Sequence, residues 1–383
     1  MVTAVVVVGA LGAACVFQWD WVRARADDVA GQVSRWSTSL RNTAATLPEA
    51  EVDARTLTGE SAAALIVIGS DENDAAFALL SVAPTGPPAV VILPQPMLLS
   101  VPGYGEFRLV DALQFEGPDL AALAVTNEFG VRIDRVVAVP AGTLATAVDQ
   151  PVTVDLATPM FVDQGGTIQR VVDAGESEVS PQVLETLLVT QGEGDPFEWL
   201  QRQGAVWRAV LDAVVARPAV ADRLLIESGG SAAADLLVTV AGNDDAVVAT
   251  VPVERAQSAS PDTLAPVTDR IDGFVAERLG HLLIRPAGRP RIEILNGNGR
   301  IGATRGVAEL LVRLGFELVR TDNAASFDYP ETIVIGQGQN NEAAAREVAA
   351  ALGRGSLQLE VREPSAVIDV SIIVGDDIPA EEG

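Results

Sequence analysis

Lysine is absent from all 383 residues, so each of the 26 basic side chains is an arginine. Fifty-two carboxylates oppose them, leaving a net charge of −26. So acidic a body is a poor partner for nucleic acid or an anionic lipid surface, whose attraction rests on cations. The same acidity is equally explained by solubility alone. Cys15 is the only cysteine, which excludes an internal disulfide. Only one histidine is present, His281, which excludes imidazole-rich zinc sites. Set in Leu279-Gly280-His281-Leu282-Leu283, it reads as structural.

The chain is long enough for two domains, each with its own core. Residues 2–17 are almost wholly apolar, and Trp19 and Trp21 follow, as aromatic side chains do where a span meets the interface. The run is slightly short for a membrane span, but we expect 1–21 to be a transmembrane anchor. Arg23 and Arg25 lie after it and no basic residue lies before it. By charge alone that would keep the body in the cytoplasm, yet long following domains translocate largely regardless of charge. Gly12-Ala13-Ala14-Cys15 is a poor lipoprotein cleavage site, which makes lipidation the lesser reading. Residues 22–59, with Trp36, Leu40 and Leu47, are expected to form a helical stalk.

Apolar strands are expected at 62–69, 77–82, 89–93 and 133–139, with a helix over 119–129 that stops at Gly130. Pro94-Gln95-Pro96 ends the third of these runs. Farther on, 152–156 reads as a strand, and a helix starts behind Ser180 as N-cap with Pro181 in its first position. Residues 232–253 read as a hairpin turning at Gly242-Asn243-Asp244-Asp245, and 261–283 as helical. Pro286-Ala287-Gly288-Arg289-Pro290 reads as a linker.

This layout over 60–285 resembles the catalytic domain of the LytR–CpsA–Psr (LCP) family, envelope enzymes that move lipid-pyrophosphate-linked glycopolymers onto the bacterial wall. The resemblance implies an α/β fold, specifically an α-β-α sandwich, and an extracytoplasmic body held at the cell membrane by a single-pass anchor. In the family an Asp ahead of the second strand binds metal and pyrophosphate. Asp74 stands there, a metal candidate with Asp71 and Glu72 beside it, or else part of an ordinary solvated loop. Arg108 occupies the place of a basic motif residue, and Asp195, Phe197, Arg202 and Gln203 keep part of a later motif. The departures carry more weight. The family's Arg after Pro94 is Gln95 here, its Arg-x-Arg pair is absent around Leu188-Val189-Thr190-Gln191, and another Arg is replaced by Trp199.

A pyrophosphate needs several cations, and guanidinium matches it best. Each donor lost from a transition-state site removes several kcal/mol. At most Arg108 and Arg202 remain. The expectation is a catalytically degenerate relative, with Asp74, Arg108, Asp195 and Arg202 the candidates if activity persists as a magnesium-dependent phosphotransferase or pyrophosphatase. No resident cofactor is expected otherwise.

Residues 291–376 form a second unit. The strand Arg291-Ile292-Glu293-Ile294-Leu295-Asn296 runs into Gly297-x-Gly299-x-x-Gly302, then a helix over 303–314. A strand at 332–335, an alanine-rich helix over 341–352 and a closing strand at 367–375 follow, with 377–383 an acidic tail. This segment resembles the LytR C-terminal domain, an accessory module of actinobacterial envelope proteins, so a small separate α/β domain is expected. Gly297, Gly299, Gly302 and Asp322 also satisfy the dinucleotide fingerprint. That would make the chain a cytoplasmic dinucleotide-dependent regulator. The glycines have a duller use in close helix–sheet packing. The favoured expectation is a membrane-anchored envelope protein that binds peptidoglycan or glycopolymer, or regulates active LCP enzymes.

Overall fold

A computed structural model describes residues 61–71, 74–226, 228–257, 262–360 and 367–378. The expected anchor over 1–21, the stalk over 22–59 and all of the acidic tail past residue 378 lie outside them. Among the described residues no helix is long and apolar enough to cross a membrane.

Apolar runs build the first sheet. β1 (Ala62–Asp71) and β2 (Asp74–Val82) pair antiparallel with Ala62 opposite Val82. β3 (Ala89–Leu93) joins antiparallel to β2, and all five of its residues are buried. A continuous buried run of this kind belongs to a strand covered on both faces. A hairpin of β4 (Leu98–Val101) and β5 (Gly105–Arg108) leads into α1 (Leu109–Glu116) and α2 (Pro118–Phe129). α2 opens on Pro118 and stops at Gly130, whose φ of 66° is left-handed and costs glycine nothing. β6 (Arg135–Val139) then returns parallel to β1.

Next come α3 (Thr143–Val148), β7 (Val152–Leu156), β8 (Met160–Asp163), β9 (Ile168–Val172) and β10 (Gly175–Val179). β7 pairs with β10 and β8 with β9 as two small antiparallel sheets. α4 (Pro181–Val189) begins as its sequence implies, with Ser180 Oγ accepting from the Val183 N–H. α5 (Pro196–Ala216) is the longest helix among the described residues.

The expected hairpin over 232–253 is not formed. Instead α6 (Ser231–Ala241) is a helix, and β11 (Val247–Thr250) joins β3 in parallel. The buried positions of α6 are Ala233, Ala234, Leu236, Leu237 and Val240. That spacing is the apolar stripe of a helix, and the leading alanines favour it over the β-branched tail. The helix expected over 261–283 is shorter too. β12 (Val253–Arg255) pairs with β13 (Leu264–Pro266) before α7 (Thr268–Arg278) and a 3-10 turn at Gly280–Leu282.

The sheet order is β11-β3-β2-β1-β6, with helices on both faces. Ala63, Leu65 and Val67 pack toward α1 and α2, while Ala64, Ile66 and Ile68 pack toward α4, α5 and α6. Alternation along one strand thereby feeds two core layers.

The C-terminal segment contributes β14 (Arg291–Asn296), α8 (Arg305–Arg313), β15 (Glu317–Asn323), β16 (Ile333–Gln337), α9 (Glu342–Leu352), β17 (Ser356–Glu360) and β18 (Val370–Val374). Its sheet runs β15-β14-β18-β16-β17. This unit packs directly against the first. The described residues form one compact body, and Leu120 and Leu123 of α2 share a continuous core with Val307, Leu311 and Phe316. The expected linker is a clasp. Arg289 donates to the carbonyls of Asn127, of Glu128 at 3.2 Å and of Phe316 at 3.5 Å, bridging the two units. Arg305 of α8 pairs with Glu116 of α1, which also accepts from the Tyr104 hydroxyl.

Candidate functional site

The surviving motif residues sit on one face of α5. Trp199, Arg202 and Gln203 are spaced i, i+3 and i+4, so all three point the same way. They point at the end of α4. A helix C-terminus leaves carbonyls with no partner in the helix, and these side chains supply donors. Trp199 Nε1 donates to the Leu188 carbonyl at 3.1 Å, and Gln203 Nε2 donates to the same oxygen at 2.9 Å. Arg202 donates through Nε to Leu187 O at 3.3 Å and through Nη2 to Thr190 O at 3.3 Å and Gln191 O at 2.6 Å. Arg202 is 5% exposed, and burial pulls its pKa down to about 10, with Glu198 opposing. It stays charged at neutral pH, as a helix cap. Gln203 Oε1 is buried and has no partner among the described residues.

Asp74 meets this group from the other side. Thr190 Oγ1 donates to Asp74 Oδ1 at 2.8 Å, while the Thr190 carbonyl accepts from Arg202. The two family candidates are therefore brought together through one threonine, which the sequence had not singled out. Gln95, where the family keeps an Arg, is 7% exposed, and its Oε1 accepts from the Ala75 N–H at 3.3 Å. A neutral side chain thus holds the strand that carries Asp74.

The other two candidates have local duties. Arg108 forms a fork with Asp111, Nη2 to Oδ1 at 2.6 Å, and the Arg108 N–H donates to Asp111 Oδ2 at 3.0 Å at the start of α1. Asp195 caps α5, accepting from the Phe197 N–H at 2.8 Å, and its second oxygen pairs with Arg255 at 2.5 Å. Among the described residues no three His, Cys, Asp or Glu side chains gather as a ligand set. The side chain of Asp71 and all of Glu72 lie outside what the structure describes. Asp74 accepts from Thr190 here, and a hard divalent cation wants several oxygen ligands.

Elsewhere, Arg132 and Asp134 both lie ahead of β6, although the strand expected over 133–139 includes Asp134, and are paired at 2.6 Å. Asp134 Oδ2 also accepts from the Ala63 N–H at 2.9 Å. His281 Nε2 bonds Ser81 Oγ at 2.9 Å, and burial lowers its pKa, with Arg132 adding to the shift. In the glycine-rich loop the N–H groups of Asn298 and Gly299 donate to Asn296 Oδ1, and that of Arg300 donates to Asn298 Oδ1. These three backbone donors are engaged within the loop itself. A Cβ on Gly297 would stand 2.7 Å from the Ile373 side chain, so close packing explains that glycine.

Residues 289–377 match the family model described as LytR cell envelope-related transcriptional attenuator. A comparison with curated proteins returns no match. Among solved structures, a LytR-Csp2A-Psr enzyme from Actinomyces oris is 16% identical, with a TM-score of 0.42 over 60% of this chain and 91% of its own. Bacillus subtilis TagT is 14% identical, with a TM-score of 0.45 over 60% of this chain and 94% of its own. A putative transcription regulator from Eubacterium siraeum is 10% identical, with a TM-score of 0.46 over 58% and 92%. Residues 289–377 are a LytR C-terminal domain, carried behind an α/β body that is LCP-like in the layout of its sequence.

Proposed function

We propose that the protein is a membrane-anchored, extracytoplasmic component of the cell envelope that binds wall polymer or regulates glycopolymer attachment without catalysing transfer. The observation that carries this reading is the capture of Arg202 by three backbone carbonyls. Transfer of a phosphoryl group needs cations poised where charge develops. Here one candidate arginine caps a helix, a second is forked onto Asp111, and Gln95 and Trp199 replace two more. The family description of the C-terminal domain as cell envelope-related supports the location. The apolar run 2–17 with Trp19 and Trp21 supports the anchor.

A second reading is favoured by one contact. Asp74 and Arg202 both bond Thr190, the acid at its hydroxyl and the cation at its carbonyl. On that reading the chain is a divergent phosphotransferase for polyprenyl-pyrophosphate-linked polymer. Incubation of the full-length protein with isolated wall sacculi decides the first reading: co-sedimentation supports it, and recovery of all protein in the supernatant removes it. Turnover of a polyprenyl-pyrophosphate substrate with magnesium would establish the second.

A further inference from the structure

Both helices of the LytR C-terminal domain pack on one face of its sheet, where Ile292, Ile294, Leu318, Val334, Val370 and Ile372 meet Val307, Leu311, Ala345 and Val348. The opposite face carries a polar row across four strands. Arg320 on β15 donates to Glu293 Oε2 on β14 at 2.6 Å. Ser371 on β18 donates to Glu293 Oε1 at 2.5 Å, and Gln337 Nε2 on β16 donates to Ser371 Oγ at 2.9 Å.

A register shift aligns this row. Ile292 pairs with Leu318, but Glu293 pairs with Arg320, so Val319 is an extra residue in β15. Without that bulge an apolar side chain would face Glu293. Bulges re-aim side chains and recur beside sites. The row lies at a cavity of about 460 Å3 lined by Glu293, Val319, Arg320, Gln337, Val367 and Ile368. That volume falls within the range of small-ligand sites, roughly 300–1,000 Å3.

What the cavity offers is specific in kind. Both oxygens of Glu293 are held in place, and its side chain is only 12% exposed. Arg320 engages Glu293 through Nη2 and Gln337 engages Ser371 through Nε2, so the rest of the guanidinium lies at one end of the row and the amide oxygen at the other. Arg320 cancels the charge of Glu293, so the cavity is locally neutral in a chain of net charge −26. Neither a polyanion nor a free cation is selected by such a lining. Val319, Val367 and Ile368 supply an apolar side. Fixed donors and acceptors beside apolar surface suit a ligand with vicinal hydroxyls on a C–H-rich ring.

We propose that this cavity, at the row Arg320–Glu293–Ser371–Gln337, binds a neutral saccharide unit of wall polymer. The assignment rests on the wall-binding reading above and adds the site and the ligand class. Its test uses the full-length protein in detergent, titrated calorimetrically with an N-acetylglucosamine trisaccharide and with a galactan trisaccharide, so that peptidoglycan and attached-polymer sources are told apart. Poly(glycerol phosphate) serves as the anionic comparator. Saturable binding of either neutral probe, weakened at least tenfold by both Gln337→Leu and Arg320→Gln with melting temperature retained, supports the site. Unchanged binding in both variants overturns it, as does binding of the anionic polymer alone. Sacculus co-sedimentation of the same variants separates the two claims. Retained co-sedimentation with no saccharide effect leaves wall binding standing and removes this cavity, whereas wild-type protein that binds no sacculi removes both.

Discussion

Asn127 of α2 grips the backbone of Leu318 in β15 twice, as a neighbouring strand would. Its Oδ1 accepts from the Leu318 N–H at 2.8 Å and its Nδ2 donates to the Leu318 carbonyl at 3.0 Å. The amide also reaches the Ser100 carbonyl at 3.3 Å, and the residue is 2% exposed. One side chain thereby satisfies an edge strand of the C-terminal sheet from the LCP-like body. Asn127→Leu should leave a buried donor and acceptor unpaired, at a cost on the order of 3 kcal/mol. Chemical denaturation of wild type and variant measures this, and a difference within error would mean that the contact contributes nothing to docking.

Glu128, next in sequence, makes the same interface sensitive to pH. Burial raises its pKa to about 7, the charge of Glu317 adds to the rise, and Arg289 opposes it. Asp272 also acts on Arg289. A carboxyl with a raised pKa binds more protons folded than unfolded. Its contribution is therefore complete below about pH 4.5, and stability falls as pH rises to about 7. The residue as a whole is only half-buried, so screening trims the change to below about 3 kcal/mol. Glu128→Gln should flatten this slope in melting temperatures taken from pH 5 to 8. An unaltered slope would assign it to another group.

Gly130 tests the clasp from a third side. It has φ +66°, and an added Cβ would stand 2.6 Å from Arg289 Cδ. Gly130→Ala combines left-handed strain with displacement of Arg289, and should destabilise by roughly 2 kcal/mol. A neutral substitution would show that Arg289 is free to move aside.

Much of the architecture was legible where local signals agree. The Val/Ile/Leu run of β3, the Ser180–Pro181 start of α4 and the glycine stop after α2 each carry their cause within a few residues. The failures lie where distant partners decide. Leu236-Leu237-Val238-Thr239-Val240 looks extended until the alanines before it and the core beneath it impose a helix. Arg289 sits in a Pro/Gly-rich stretch that reads as linker, and only the folded chain shows carbonyls from two units waiting for it. β17 was missed because its pairing with β16 is not a local property. At the candidate site the motif residues were visible, but not their engagement: Thr190 and the α4 carbonyls become partners only when α5 folds back across α4.

The central claim is that Arg202 serves α4 and not a ligand, and its most direct test is the Arg202→Met variant. Loss of a buried guanidinium from the carbonyls of Leu187, Thr190 and Gln191 should cost about 2–4 kcal/mol of stability. Full-length wild-type protein titrated with a short polyprenyl pyrophosphate and magnesium should show no saturable binding, so the substitution has no affinity to remove. Tight binding that Arg202→Met and Asp74→Ala both abolish, with stability intact in the arginine variant, would contradict the account and return the chain to the enzymes.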